Sequence, residues 1–228
     1  MRIIILISIA LLFLSCSGKS QGKIYLTFDD GPSLAMDTML NILKAYNVKA
    51  TFFVKGAGCD SLPNIVRRAV KEGHLIGTHS NKHPNFTTIS NDSIRKEIIN
   101  SISTIKRVTG VDVQYFRFPF LAYTTSVRNW VENKGLTHAT ITIEPADWNG
   151  TRSAVRIQEW VISQLNLATP NVVLLHTIPD KINPAANTTS TSAALPGIIE
   201  EARALGYGFY ILDNSIDYRT LTYINPTN

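Results

Sequence analysis

Two adjacent aspartates, Asp29 and Asp30, follow a short apolar run and directly precede Gly31 and Pro32. Neighbouring carboxylates repel each other, so keeping both ionised at the end of a buried strand requires nearby positive charge. A metal ion is a common source of that charge, and it allows the two carboxylates to take different roles. The pair therefore predicts a metal-dependent site at this point of the chain.

A histidine pair, His79 and His83, provides candidate partners for Asp30. The spacing of four predicts a helical turn with both imidazoles on one side, close enough to bind one metal ion. The pair follows the strand candidate Leu75–Thr78, at the same end at which Asp30 follows its own strand. Two histidines and one carboxylate with open positions are typical of catalytic zinc, which would leave Asp29 as a nearby base. A polar surface turn is the alternative interpretation of the histidine pair.

Three further polar segments follow other strand candidates, and they contain Arg117, Asp147-Trp148 and His176. In parallel α/β folds the active site lies at the carboxyl ends of the strands. Taken singly, the arginine could be a surface ion-pair partner, the tryptophan a core residue and the histidine structural. Their position at one predicted edge favours a chemical role for all of them.

Apolar strand-like runs alternate with amphipathic helical patterns along the chain, which predicts a parallel sheet. The predicted strands are Ile24–Phe28, Ala50–Val54, Leu75–Thr78, Tyr115–Phe118, Ala139–Ile143, Val172–Leu175 and Phe209–Leu212. The predicted helices are Ala35–Tyr46, Leu62–Glu72, Asp92–Thr109 with Asn91 as its cap, Ser126–Lys134, Ala154–Leu165 and Leu195–Leu205. The pattern alone allows an open doubly wound sheet or a barrel, and seven strands would make a slightly reduced (β/α) barrel. The polar stretch Asn183–Ser192 is interpreted as a surface loop, with the rim of a substrate groove as the alternative.

Composition restricts the class of protein. The 228 residues suffice for one domain with a sizeable core, and 44% hydrophobic with 17% charged residues excludes a disordered chain. The formal charge of +5 is mild, and no basic run carries interleaved aromatic residues. Nucleic acid is therefore not an expected partner.

The N-terminus has the pattern of a bacterial export signal, with one Arg, a short apolar core and small residues ending at Cys16. We therefore divide the chain into a signal (1–16), a linker (17–22) and one catalytic domain (23–228). Cys16 is expected to carry lipid and to anchor the protein to a membrane, with plain secretion or a retained anchor as the alternatives. The expected location is the periplasm or cell envelope. Cys59 then has no partner in the chain and is interpreted as a lone thiol packed near a turn, with a catalytic thiol as the alternative.

Five segments occur in a characteristic order: Thr27–Pro32, His79–His83, Arg117–Phe120, Asp147–Trp148 and Leu174–His176. Together they resemble the polysaccharide deacetylase family, also called the NodB-homology domain or carbohydrate esterase family 4. The resemblance implies a deformed (β/α) barrel with seven parallel strands. It also implies metal-dependent removal of acetyl groups, mostly N-acetyl groups, from sugar polymers.

The resemblance assigns the metal, usually zinc, with cobalt, nickel or manganese as alternatives, to Asp30, His79 and His83. It makes Asp29 the base that takes a proton from the attacking water and His176 the acid that protonates the leaving amine. Arg117 would hold Asp29 ionised, and Asp147 would orient His176 and raise its pKa.

The resemblance also implies a substrate pocket. A backbone N–H near Phe120 would stabilise the oxyanion, and Trp148 with Leu174 would enclose the acetyl methyl group. Two positions depart from the family pattern: Leu121 stands where many members have Gly, and Glu144 where they often have Asp.

The leading hypothesis is N-deacetylation of an N-acetylglucosamine polymer, such as peptidoglycan or chitin. The first alternative is an O-acetyl esterase acting on acetylated xylan or another glycan. The second is a catalytically degenerate protein that only binds glycan. The oligomeric state is not predicted.

Overall fold

The computed structural model describes residues 22–177 and 189–223. In this part of the chain seven strands alternate with seven α-helices. The strands are β1 (Gly22–Gly31), β2 (Thr51–Val54), β3 (Leu75–Thr78), β4 (Tyr115–Phe116), β5 (Thr137–His138), β6 (Asn171–His176) and β7 (Tyr207–Phe209). The helices are α1 (Leu34–Ala45), α2 (Gly56–Ser61), α3 (Pro63–Lys71), α4 (Asn91–Thr109), α5 (Thr125–Asn133), α6 (Ala154–Ser163) and α7 (Ser190–Ala204). None of these helices has the length and hydropathy that a membrane span requires.

The strands form one parallel sheet in the order β5-β4-β3-β2-β1-β6. Strand β7 pairs with the first three residues of β1, Gly22–Ile24. Strand β2 pairs with β1 further along the chain, from Thr27 onwards. After β5 the chain crosses to the opposite edge, where Ile143 makes a parallel bridge with Val173 of β6. This bridge brings the two edges of the sheet together, so the predicted deformed (β/α) barrel is confirmed.

The predicted strand Ala139–Ile143 is wrong in its position. Regular pairing occurs earlier, at Thr137–His138 against β4, and the following residues cross between the sheet edges. Their apolar side chains are nevertheless buried, as the exposures of 0% at Ala139 and 2% at Ile141 show. Burial inside the barrel therefore produced a strand-like pattern in a segment that has no continuous strand partner.

The ends of the domain also differ from the prediction. Strand β7 covers Tyr207–Phe209 rather than Phe209–Leu212, because its partner is the beginning of β1. Gly22, the last residue of the predicted linker 17–22, is the first residue of β1. A strand of three residues shows too little alternation of apolar and polar side chains for its first and last residues to be predicted from sequence.

Helix α7 begins at Ser190, five residues before its predicted start. Thr189 caps it, and the side chains of Thr189 and Ser192 close a reciprocal capping box. The end of the predicted polar loop is therefore a helix N-terminus, while residues 183–188 lie outside the described residues. Similarly, the cap of α4 is Ser90, whose hydroxyl accepts from the Ser93 N–H at 3.2 Å, and not Asn91.

The short helix α2 is absent from the prediction because its residues, Gly-Ala-Gly-Cys-Asp-Ser, have poor helix propensity. Packing against α4 holds it in place: a Cβ on Gly56 would lie only 2.6 Å from the Cα of Ser101. Cys59 is fully buried in this helix, and burial raises the pKa of its thiol to about 12. The thiol is therefore unreactive at neutral pH, as its interpretation as a lone packed thiol requires.

Candidate active site

A bulge at the end of β1 directs two adjacent carboxylates into one cleft. Neighbouring residues of a regular strand point to opposite faces. Here the register between β1 and β2 shifts between Phe28 and Gly31, and Asp30 adopts a φ of 69°. Aspartate tolerates this left-handed conformation better than most residues. As a result Asp29 and Asp30 both line the same cleft at the carboxyl edge of the sheet.

Asp30, His79 and His83 form a group that could hold a metal ion. One ligand atom from each lies within 4.8 Å of the others. The two imidazole Nε2 atoms are 3.1 Å apart, and Nε2 of His83 lies 3.6 Å from Oδ1 of Asp30. Tetrahedral zinc with bonds of about 2.0–2.2 Å places its ligand atoms roughly 3.3–3.6 Å from one another. The donor set therefore fits a zinc-sized divalent ion without large rearrangement.

The hydrogen bonding and the protonation of the two imidazoles suit metal binding. Nδ1–H of His79 donates to the carbonyl oxygen of Arg117 at 2.9 Å, which leaves the Nε2 lone pair facing His83 and Asp30. Burial lowers the pKa of His79. Burial is also the largest cause that lowers the pKa of His83, and the neighbouring His79 adds to it, so that this pKa falls to about 4. Both rings are neutral at pH 7, as metal ligation requires.

The loop that carries the histidines is not the predicted helical turn. Ser80 and His83 have φ values of 65° and 63°, which no α-helix contains. The hydroxyl of Ser80 accepts from the backbone N–H of His83 at 2.9 Å and closes the loop. The two rings converge, with centroids 4.7 Å apart, because the loop folds back on itself.

Asp29 is held by a buried arginine. Nη1 of Arg117 donates to Oδ1 of Asp29 at 2.9 Å and to the hydroxyl of Thr27 at 2.7 Å. The guanidinium is completely buried, with its Cζ 4.2 Å from the centroid of the Phe53 ring. The second oxygen of Asp29, Oδ2, lies 3.6 Å from Nε2 of His79, beside the candidate metal site. Oδ1 of Asp29 is thus paired with the guanidinium, while Oδ2 faces the cleft.

His176 and Asp147 form a second pair on the other side of the cleft. Nδ1–H of His176 donates to Oδ1 of Asp147 at 2.8 Å, and the backbone N–H of His176 donates to Oδ2 at 2.8 Å. Thr191 of α7 also donates to Oδ2, at 2.7 Å. Burial alone would lower the pKa of His176, but the Asp147 carboxylate, together with Asp29 and Asp30, outweighs it and the pKa rises to about 9. The imidazole therefore carries a proton at neutral pH and can donate it.

The cleft between these pairs has a volume of about 690 Å³. Its apolar lining includes three residues that the sequence predicted for the substrate pocket, Phe120, Trp148 and Leu174. Asp29 and His176 occupy paired positions on β1 and β6, so the candidate base and the candidate acid lie at one level of the sheet. Every predicted site residue of the domain lies at this edge, while Cys16 lies outside the described residues.

Sequence reasoning missed Lys55, whose Nζ lies 3.3 Å from Oδ1 of Asp30. Burial would raise the pKa of Asp30, but the neighbouring His79 and Lys55, with smaller contributions from His83 and His176, outweigh it and lower that pKa. Lys55 directly follows β2, so the rule that strand ends carry the site could have found it. Tyr223, which also lines the cleft, had no such signal because it follows no strand.

Comparison with known proteins agrees with this geometry. The family model for polysaccharide deacetylase matches residues 17–139. A peptidoglycan-N-acetylglucosamine deacetylase from Bacillus cereus is 31% identical over 194 residues, covering 85% of this chain and 68% of the relative.

Two solved structures share the fold and are at least 30% identical in sequence. A peptidoglycan N-acetylglucosamine deacetylase in complex with a naphthalenyl N-hydroxybenzamide superposes with a TM-score of 0.78 at 30% identity, covering 86% of this chain and 88% of the other. A family 4 acetyl xylan esterase from Clostridium thermocellum, in complex with cobalt, has a TM-score of 0.74 at 33% identity, with coverages of 83% and 87%. The chain therefore belongs to the polysaccharide deacetylase family, the NodB-homology or carbohydrate esterase 4 family.

Proposed function

We propose that this protein is a metal-dependent hydrolase that removes N-acetyl groups from a glycan containing N-acetylglucosamine. The observation that carries the proposal is the convergence of three units on one cleft: the donor group Asp30-His79-His83, the Asp29–Arg117 pair and the His176–Asp147 pair. Hydrolysis of an unactivated amide needs electrophilic assistance, a base for water and an acid for the amine. Each unit provides one of these three requirements.

Asp30, His79 and His83 would hold the metal, in the two-His, one-carboxylate arrangement of catalytic zinc sites. A bound divalent ion would supply Lewis acidity to the acetyl carbonyl and to the attacking water. Three protein ligands leave coordination positions open for these groups. Zinc suits this donor set best, and cobalt, nickel and manganese are the alternatives to test.

Asp29 acts as the base. Its Oδ2 faces the cleft, while Oδ1 is held by Arg117, so the carboxylate stays oriented. It takes one proton from the water whose oxygen attacks the acetyl carbon. The N–H near Phe120, in a turn where Phe120 has a φ of 57°, is the candidate donor to the oxyanion.

His176 acts as the acid. It gives a proton to the amide nitrogen as the carbon–nitrogen bond breaks, which releases acetate and a free amine. Asp147 fixes Nδ1 of the ring by the 2.8 Å hydrogen bond, so Nε2 is the proton donor. Trp148 and Leu174, which line the cleft, would enclose the acetyl methyl group.

The choice of N-acetylglucosamine rests on the relatives, since the Bacillus cereus protein is named for peptidoglycan N-acetylglucosamine. The acetyl xylan esterase is equally similar in sequence, which supports O-deacetylation as a second candidate. The alkoxide that leaves an ester needs less help from a general acid than the nitrogen that leaves an amide. The two functions therefore differ in their dependence on His176.

Export to the cell envelope, with lipid on Cys16, completes the proposal. Its support is the signal-like pattern of residues 1–16, which lie outside the described residues. Incorporation of labelled palmitate that is lost in Cys16→Ala would support lipidation. Equal labelling of the parent and the variant would refute it.

The deciding experiment measures acetate release from N-acetylglucosamine oligomers, peptidoglycan and acetylated xylan, with zinc or cobalt added and with EDTA as the control. We expect metal-dependent release from the N-acetylated substrates. Release from xylan alone would support the esterase instead. Binding of these glycans without acetate release would identify a degenerate, glycan-binding member.

A further inference from the structure

Glu144 links two aromatic side chains on the rim of the cleft. Nε1–H of Trp148 donates to Oε1 of Glu144 at 2.7 Å, and the hydroxyl of Tyr223 donates to Oε2. Trp148 belongs to the loop after Ile143, whereas Tyr223 comes from the segment beyond β7. A single carboxylate thus fixes two rings that are 75 positions apart in the chain.

Both rings remain exposed although they are held in place. Trp148 is 45% exposed and Tyr223 is 37% exposed, and both line the cleft that contains the candidate metal site. An aromatic side chain that only stabilises the fold buries its ring, since that burial is its main contribution. Fixed and exposed rings at a cleft are typical of surfaces that receive a ligand.

The cleft is also larger than the proposed reaction centre requires. Its volume of about 690 Å³ falls in the range of roughly 300–1,000 Å³ that whole small-molecule ligands occupy. An acetamido group fills only a small part of that space. A glycan offers further sugar rings, and each pyranose has an apolar C–H face that can stack on an aromatic ring.

We propose that the Tyr223 ring forms a sugar-stacking subsite next to the acetyl pocket, and that Glu144 is the positioning residue that holds Tyr223 and Trp148. The occupant is a sugar unit adjacent to the acetylated one, so the preferred substrate is a chain of sugars. The identity of that occupant rests on the proposed deacetylase function. Glu144 performs this role by its two hydrogen bonds and takes no part in the reaction.

The test compares four variants with the parent on N-acetylglucosamine oligomers of two to six sugars. Tyr223→Ala removes the ring, and Glu144→Ala removes its anchor, while Glu144→Gln keeps a side chain that can bond to both rings. Tyr210→Ala is the matched control: it is another exposed tyrosine beyond β7, and its backbone N–H bonds to Ile24 near the opposite end of β1. The readouts are KM and kcat for acetate release, and the Kd of the hexamer for EDTA-treated protein by calorimetry.

We expect Tyr223→Ala to raise KM and Kd for the hexamer about two- to tenfold, the range of one aromatic contact, with the loss growing from two to six sugars. Glu144→Ala should reproduce this loss and Glu144→Gln should restore most of the affinity. An equal effect at all lengths, an effect on kcat alone, or no effect would overturn the subsite. A parent that binds the hexamer but releases no acetate would refute the deacetylase and not the subsite, provided that Tyr223→Ala weakens this binding.

Discussion

Asp147→Asn tests how the fold sets the protonation of His176. The substitution keeps the shape of the side chain but removes the negative charge that accepts from Nδ1–H. With the charge gone, burial opposes only the weaker influence of Asp29 and Asp30, and we expect the pKa of His176 to fall from about 9 towards its ordinary value of 6.5. A complete return to 6.5 would remove about 3.4 kcal/mol that favours the protonated ring in the parent, and this is the upper limit of the effect.

The expected effect on protonation follows from these values. At pH 7.5 about 97% of the rings are protonated with a pKa of about 9, and about 9% with a pKa of 6.5. The supply of the acid form therefore drops by up to about tenfold. The measurement is an NMR titration of the imidazole in EDTA-treated protein, because a bound dication would itself lower this pKa. His176→Asn identifies the resonance among the five histidines.

The same shift predicts a pH-dependent stability. The folded-state pKa lies above the unfolded value of 6.5, so protonation of His176 stabilises the metal-free fold below pH 6.5. That stabilisation disappears as the pH rises through about 9. In urea unfolding, the deficit of Asp147→Asn should be largest below pH 6.5, at most about 3.4 kcal/mol from this source, and should narrow above pH 9. An unchanged titration of His176 in the variant would refute the reasoning.

Two further substitutions test the charges around Asp29 and Asp30. Arg117→Met leaves Asp29 buried without its partner, and we expect a loss of about 3–5 kcal/mol in the free energy of unfolding of EDTA-treated protein. A loss below about 1 kcal/mol would show that the pair does not hold Asp29. Lys55→Met removes an ammonium that competes with the metal for Asp30 at a partly exposed position, so zinc affinity by calorimetry should rise up to about fivefold. Lys55→Arg is the control that retains the charge, and weaker zinc binding by Lys55→Met would contradict this account.

Sequence predicts the location of the site well because location depends on local patterns. Apolar runs ending in Asp30, Thr78 and His176 mark strands, and a parallel sheet brings their carboxyl ends to one edge. The family resemblance then supplies the predicted ligand set and the fold. Strand ends and family motifs are both short segments of sequence, so they can be recognised from the residues alone.

Details that depend on tertiary contacts were not predictable in the same way. The bulge at Asp30 arises from pairing with β2, and the crossing of residues 139–143 from the closure of the barrel. The histidine loop was predicted as a helical turn because spacing alone cannot exclude positive φ at Ser80 and His83. The contact of Glu144 with Tyr223 joins residues far apart in sequence, so no local pattern announces it.

The central claim is that two adjacent carboxylates have different roles, and a matched pair of variants tests it. We expect Asp29→Asn to retain zinc at one ion per chain while acetate release from an N-acetylglucosamine oligomer falls by about 10²–10⁴. Asp30→Asn should instead lose the zinc itself, with acetate release restored only at high metal concentration. The measurement is zinc content and acetate release on the same samples, with folding checked by circular dichroism. Near-normal acetate release by Asp29→Asn with zinc bound, or full zinc retention by Asp30→Asn, would contradict the account.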